Sequence, residues 1–120
     1  REKTELIAAA IETMRYHMDG KVCIIAMTRD LLGKIGIEAN DTEGIIDYAI
    51  AVRGVEIGVS ICEEKANEFK VSFRSRGRNV DEIAAVFGGG GHMYASGCRI
   101  FVKKKDVIDK ILKAIRDTAG

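Results

Sequence analysis

The sequence predicts one α/β domain over residues 1–120, a mixed central sheet of about four to five strands with flanking helices. Three features lead there. Residues 21–28, KVCIIAMT, are a nearly continuous apolar run, as expected of a strand covered on both faces. Residues 55–62 and 69–75 alternate apolar and polar with the period of a strand. Apolar residues also recur at helical spacing in three stretches, 4–14, 79–87 and 103–119. The chain is 47% hydrophobic over 120 residues, enough for a real core in a single domain.

In chain order, Leu6, Ile7, Ala10, Ile11 and Met14 share one face of a first helix, with Thr4 as its N-cap. Asp19-Gly20 is a hairpin dipeptide, so Arg15–Met18 pairs with the apolar run that follows. Arg29–Gly33 reads as a short helix ended by its glycine. Asn40-Asp41-Thr42 are N-cap formers, with Glu43 placed to favour the dipole of a helix reaching Val52. The acidic trio 41–43 therefore reads as a cap and not as an acidic site. The strands at 55–62 and 69–75 form a hairpin through a polar loop, Glu63–Glu68. Asn79 or Asp81 caps a helix ending at Phe87, with Val80, Ile83 and Ala84 inward. Cys98–Val102 is a short strand. Lys103–Ala119 is a terminal helix burying Val107, Ile108, Ile111, Leu112 and Ile115, its lysines in solvent.

Charge and cysteine usage exclude several classes. A net charge of +1 gives no global basic field, so any nucleic-acid contact needs a local patch. The sequence contains no apolar run long enough for a membrane span and no secretory leader. Cys23, Cys62 and Cys98 are odd in number, sit in apolar runs and lack zinc spacing, as expected of buried free thiols in a reducing cytoplasm. His17 is isolated among apolar and basic neighbours. No GxSxG elbow, P-loop or dinucleotide fingerprint occurs, and neither histidine has a close ligand set. These absences favour a binding module over a self-contained enzyme.

The most costly stretch is Gly88–Gly97, GGGGHMYASG. Four consecutive glycines lose much backbone entropy on folding, so a turn or a close backbone approach must require them. His92–Gly97 has no breaker before Gly97 and suits a short helix. A glycine loop entering a helix start aims bare N–H groups at one spot, which suits a phosphate. A tight packing corner fits the same glycines. Upstream, Lys70, Ser72, Arg74 and Arg76 fall on one side of their strand, ending in Arg-Ser-Arg-Gly-Arg. Such a stripe is either a solvated sheet face or an anion site, since arginine forks match phosphate oxygens.

Lys70-Val71-Ser72-Phe73-Arg74-Ser75, Val80-Asp81-Glu82-Ile83-Ala84 and the GGGGHMYASG run together resemble the C-terminal DHH-associated domain of DHH-family phosphoesterases. The nearest branch is the oligoribonuclease/pAp-phosphatase type, which Asp41-Thr42-Glu43-Gly44 and Arg53-Gly54-Val55-Glu56 also match. The resemblance covers residues 20–102 and arguably the whole chain. It implies a substrate-binding domain for short single-stranded RNA or a phosphorylated nucleotide such as pAp. Hydrolysis would belong to an N-terminal DHH domain holding two manganese ions; no DHH motif occurs here, so this chain carries no catalytic or metal residues of its own. Position by position, Arg74 and Ser75 match the family's Arg-Ser pair. Gly89, Gly90, Gly91 and His92 match its GGGH loop, and Ala95 and Gly97 its trailing small residues. Ser96 stands where alanine is common. The expected phosphate-binding residues are Arg74, Ser75, Arg76, Gly89, Gly90, Gly91, His92 and Ser96. Alternatives are a module of a cyclic-dinucleotide phosphodiesterase or single-strand DNA exonuclease, and a structural domain that forms homodimers. Alanyl-tRNA synthetases carry a related loop, but the Arg-Ser strand favours the phosphoesterase.

Overall fold

The computed structural model describes residues 2–118. The elements run α1 (Glu2–Glu12), β1 (Arg15–His17), β2 (Val22–Met27), α2 (Arg29–Ile35), a 3-10 turn (Ala39–Asp41), α3 (Ile46–Ile50), β3 (Ile57–Lys65), β4 (Glu68–Ser75), α4 (Val80–Val86), β5 (Gly90–His92), β6 (Ala95–Ile100) and α5 (Lys104–Asp117). One mixed sheet has the order β1-β2-β3-β4-β6-β5. It has six strands, slightly more than expected, because the glycine run contributes one. Only β2 and β3 are parallel, since α2 and α3 lie between them in sequence; every other pair is antiparallel.

Each face of the sheet buries its own core. Val22, Ile24, Val59, Ile61, Val71 and Phe73 meet α4 and α5 through Val80, Ile83, Val107, Ile111 and Ile115. On the other face Cys23, Ile25, Met27 and Cys62 meet Leu6, Ala10, Leu32, Ile45 and Ala49. β2 contributes alternate residues to both cores, which is why its sequence is continuously apolar. No buried residue of β4, β5 or β6 belongs to the second core. The sheet therefore buries a core on both faces at its β2–β3 half and on one face at its β4–β6 half, where α3 only borders β4 on the other side.

Local signals hold where short-range chemistry decides. The Asn79 side chain accepts from the N–H groups of Asp81 (3.0 Å) and Glu82 (3.4 Å), starting α4 as expected. The β1–β2 turn places Met18, Asp19 and Gly20 at positive φ. α5 buries Val107, Ile111 and Ile115; its expected end at Ala119 lies outside the described residues.

Four expectations are corrected. Thr4 is not an N-cap, because α1 already runs from Glu2, and Ile11 is 43% exposed. Gly33 lies inside α2; Thr28 caps that helix by accepting from Leu31, and Gly36 at φ +85° ends it. Asn40–Thr42 do not cap α3. They form the 3-10 turn, and Gly44 at φ +90° turns the chain once more before Ile46. The polar loop of the β3–β4 hairpin shrinks to Ala66-Asn67, with Asn67 at φ +61°, because strand pairing extends to Lys65 and Glu68. Glu63 is consequently a strand residue and buried. Its carboxylate accepts the Arg29 N–H at 2.9 Å on one oxygen and pairs with Lys104 Nζ at 3.3 Å on the other.

The three cysteines are buried and free. Burial raises all three thiols above their ordinary value, Cys98 to about 11. No helix among the described residues is long and apolar enough to cross a membrane.

Candidate functional site

Strand alternation sorts β4 into two sets. Phe69, Val71 and Phe73 enter the core under α4 and α5; Lys70, Ser72 and Arg74 point to the opposite side, bordered by α3. Register then assembles a face. Arg74 stands opposite Ala95, and Ala95 opposite His92; Ser72 stands opposite Gly97, and Gly97 opposite Gly90; Lys70 stands opposite Arg99. Residues directly opposed across antiparallel strands share a side. His92, Arg74, Ser72, Lys70 and Arg99 thus rim a floor of Ala95, Gly97 and Gly90, which have almost no side chain to fill it. At about 4.8 Å between strands, the backbones of Arg74 and His92 lie about 10 Å apart, within reach of two long side chains meeting over Ala95.

The rim is positive and largely uncommitted. The side chains of Lys70 and His92 make no hydrogen bond or ion pair with other described residues, and that of Arg74 donates only to the Phe73 carbonyl, from Nη1 at 2.9 Å. Arg99 is held by Glu64, with Nε to Oε1 at 2.9 Å and Nη2 to Oε2 at 3.3 Å. That carboxylate, by its hydrogen bond and then its charge, raises the guanidinium pKa further. Between β4 and the loop before α3 lies a polar cleft of about 330 Å³, lined by Thr42, Glu43, Ser60, Ser72 and Arg74 among others. Sequence reasoning had given Thr42 and Glu43 to a helix cap. The match of Asp41–Gly44 to the oligoribonuclease branch was the available signal for their place beside Arg74.

The glycine run is a strand edge and not the entry to a helix. His92–Gly97 forms the turn and second strand of the β5–β6 hairpin, which corrects the expected short helix. Tertiary contacts fix this geometry: the Met93 carbonyl accepts from Val80 N–H at 2.7 Å, and the Tyr94 carbonyl accepts from Ser75 N–H at 3.1 Å. His92–Gly97 therefore contributes no helix N-terminus to this site. The amides of Gly88 and Gly89 donate to Ala85 and Ala84, each at 3.0 Å, and that of Gly91 donates to Asp81 Oδ1 at 2.8 Å. Close packing is what demands glycine. A Cβ at Gly89 would lie 2.2 Å from the Gly97 carbonyl oxygen, and one at Gly91 2.6 Å from that of Ala95.

The other expected residues divide by position. Arg74, His92, Gly90 and Gly97 come together on the open face. Ser75 turns to the far side, where its hydroxyl donates to the Arg78 carbonyl. Arg76 donates from Nη2 (3.0 Å) and Nε (3.3 Å) to the Ile50 carbonyl at the end of α3. Ser96 is buried and donates to the Val80 carbonyl at 2.6 Å, tying β6 to α4. His17 sits on β1, at the opposite edge of the sheet, with its Nε2 buried and unpartnered.

Among the described residues no group of three or more His, Cys, Asp or Glu side chains could hold a metal ion. The side chains of this face are cations, hydroxyls and an imidazole, with the carboxylates of Glu43 and Glu64 at its borders.

Comparison with known proteins places this architecture. The DHHA1 domain model matches residues 19–120. The chain is similar to the bifunctional oligoribonuclease and PAP phosphatase NrnA of Mycoplasma genitalium, 36% identical over 93 residues. That match covers 76% of this chain and 26% of the relative. The Bacillus subtilis protein of the same name is 31% identical over 88 residues, covering 73% of this chain and 27% of that protein. The chain thus spans about a quarter of the length of these relatives. An exopolyphosphatase-related protein from Bacteroides fragilis shares the fold with a TM-score of 0.87 at 24% identity, over 98% of this chain and 35% of that one. The pGpG-specific phosphodiesterase PggH of Vibrio cholerae does so at 0.66 and 17%, over 97% and 40%. Sheet order, glycine hairpin and family match agree, and the chain belongs to the DHHA1 domain family of DHH phosphoesterases.

Proposed function

We propose that this domain holds the phosphate of a short single-stranded RNA, or of a nucleotide such as pAp, for hydrolysis by a separate manganese-dependent DHH domain. One observation carries the reading. On one sheet face the β4–β6 half contributes nothing to the second core, and there Arg74 and His92 flank a side-chain-poor floor in a single cross-strand row. Arg74 supplies a fork for phosphate oxygens and His92 a second donor, while Ser72 extends the contact. Gly90 and Gly97 keep the floor low so that a phosphate can approach the backbone, and Gly89 and Gly91 let β5 pack close against β6. Ser75, Arg76 and Ser96 act through the backbone they hold, at the end of β4, the end of α3 and the start of α4. The names of the relatives support the substrate class.

Each charge-assisted hydrogen bond contributes about 1.5–3 kcal/mol, and ordering the ligand offsets part of the sum. Affinity of this domain alone is therefore modest, as suits one side of a two-domain cleft in a cytoplasmic enzyme. The test is Arg74→Ala, measured by calorimetry with pAp and a short RNA. Affinity should fall at least tenfold with the melting temperature unchanged; undiminished affinity would reduce the cationic face to a solvated surface. Competition among pAp, RNA, single-stranded DNA and a cyclic dinucleotide ranks the substrates. Sedimentation of the same samples reports whether a homodimer forms.

A further inference from the structure

Beyond the Arg74–His92 row, the same face continues into a second cleft that the phosphate reading leaves unused. It has a volume of about 480 Å³, and Lys70, Phe87, Gly88, Gly89, Gly97 and Phe101 are among its lining residues. A space of that size is ordinary for a small-molecule subsite. Phe101 is 67% exposed, the most exposed of the large hydrophobic side chains, and directly follows β6. By alternation it follows Ala95, Gly97 and Arg99 on the open side. Phe87 closes the cleft from the end of α4 and is half-buried. The wall between them is bare backbone. Lys70 and Ser72 line both this cleft and the one beside Arg74, so the two are continuous.

We propose that this cleft is a second nucleotide subsite, in which Lys70 takes the next phosphodiester and Phe101 stacks a base. The inference rests on Arg74 and His92 holding the first phosphate. From Ala95 to Phe101 the strand runs about 20 Å, room for more than one nucleotide laid along β6. The chemistry alternates along that line as a single strand requires: cation, bare floor, cation, aromatic ring. Arg99 is held by Glu64, which leaves Lys70 as the uncommitted cation at the crossing. Stacking on an aromatic side chain tolerates any base, so the subsite would read chain length and not sequence. Lys70 and Phe101 are specificity-determining residues in this account, and neither touches the reacting bond.

The experiment measures dissociation constants of the 120-residue chain for 5′-AMP and the 5′-phosphorylated adenosine trinucleotide, with Lys70→Ala, Phe101→Ala and Arg74→Ala alongside. Both subsite residues are exposed, and circular dichroism checks that the variants fold. The trinucleotide should bind at least tenfold more tightly than 5′-AMP. Phe101→Ala and Lys70→Ala should each weaken the trinucleotide at least fivefold and leave 5′-AMP within twofold. Equal affinities for the two ligands, or variants that weaken both alike, would overturn the second subsite and leave the first standing. Absence of 5′-AMP binding, or binding indifferent to Arg74→Ala, would remove the first site and the second with it.

Discussion

Gly89 and Arg74 show how single residues divide the labour. Gly89 is fixed by packing: its missing Cβ would meet the Gly97 carbonyl oxygen and Cys98, neither of which can move without parting β6 from β4. Gly89→Ala should therefore cost about 1–3 kcal/mol of stability, read as a lower midpoint in denaturant unfolding. A midpoint equal to that of the unaltered chain would mean the corner is slack. Arg74 carries no comparable structural duty, since its one hydrogen bond goes to its neighbour's carbonyl. Its importance was legible in the sequence only through resemblance; the residues alone left a choice between an anion site and a solvated face. What sequence could not supply was the row. That Ala95, with a methyl group for a side chain, separates Arg74 from His92 is a fact of register, and register between β4 and β6 is set by tertiary packing.

Among the elements, those governed by neighbouring residues were readable and those governed by distant ones were not. Asn79 starts α4 through bonds two and three residues away, and the sequence narrows the cap to it or Asp81. Asn79→Ala should lower stability by about 1 kcal/mol, measured by thermal unfolding, because the orphan amides of Asp81 and Glu82 lose their acceptor. No loss would show that water replaces the cap at no cost. The β5–β6 hairpin is the opposite case. Nothing within His92–Gly97 forbids a helix; the strand form wins because the carbonyls of Met93 and Tyr94 are claimed by Val80 and Ser75, more than ten residues upstream. The loop before α3 misled for a related reason. Its polar residues are good caps by type, but Gly44 redirects the chain before the helix begins, and the residues end up beside Arg74.

For the whole molecule, the decisive property is an asymmetry of layers. Helices α1–α3 pack on β2 and β3, α4 and α5 cover the other side, and one half-face remains open with the unpaired cations on it. The two-sided half was evident from the apolar run at 21–28; the one-sided half was evident from the alternation of β4. That the two belong to one mixed sheet was expected; the strand order was not, because β4 reaches β6 across α4 and the glycine strand. A net charge of +1 gives no global basic field, so salt-sensitive binding here has to come from a local patch such as this one. With Arg74 and Lys70 as the phosphate contacts, log affinity for single-stranded RNA should fall with log salt at a slope of about −1.4. A slope near zero would place the RNA elsewhere.

The most direct test of the phosphate-holding face is a titration of the chain with pAp and a short RNA, following backbone amides by NMR. Shifts concentrated on Arg74, Ala95, Gly97 and Gly89–His92, with α1 and α2 silent, are the expected result. Silence across the open face at millimolar ligand, or shifts confined to the α1–α3 side, would contradict the account.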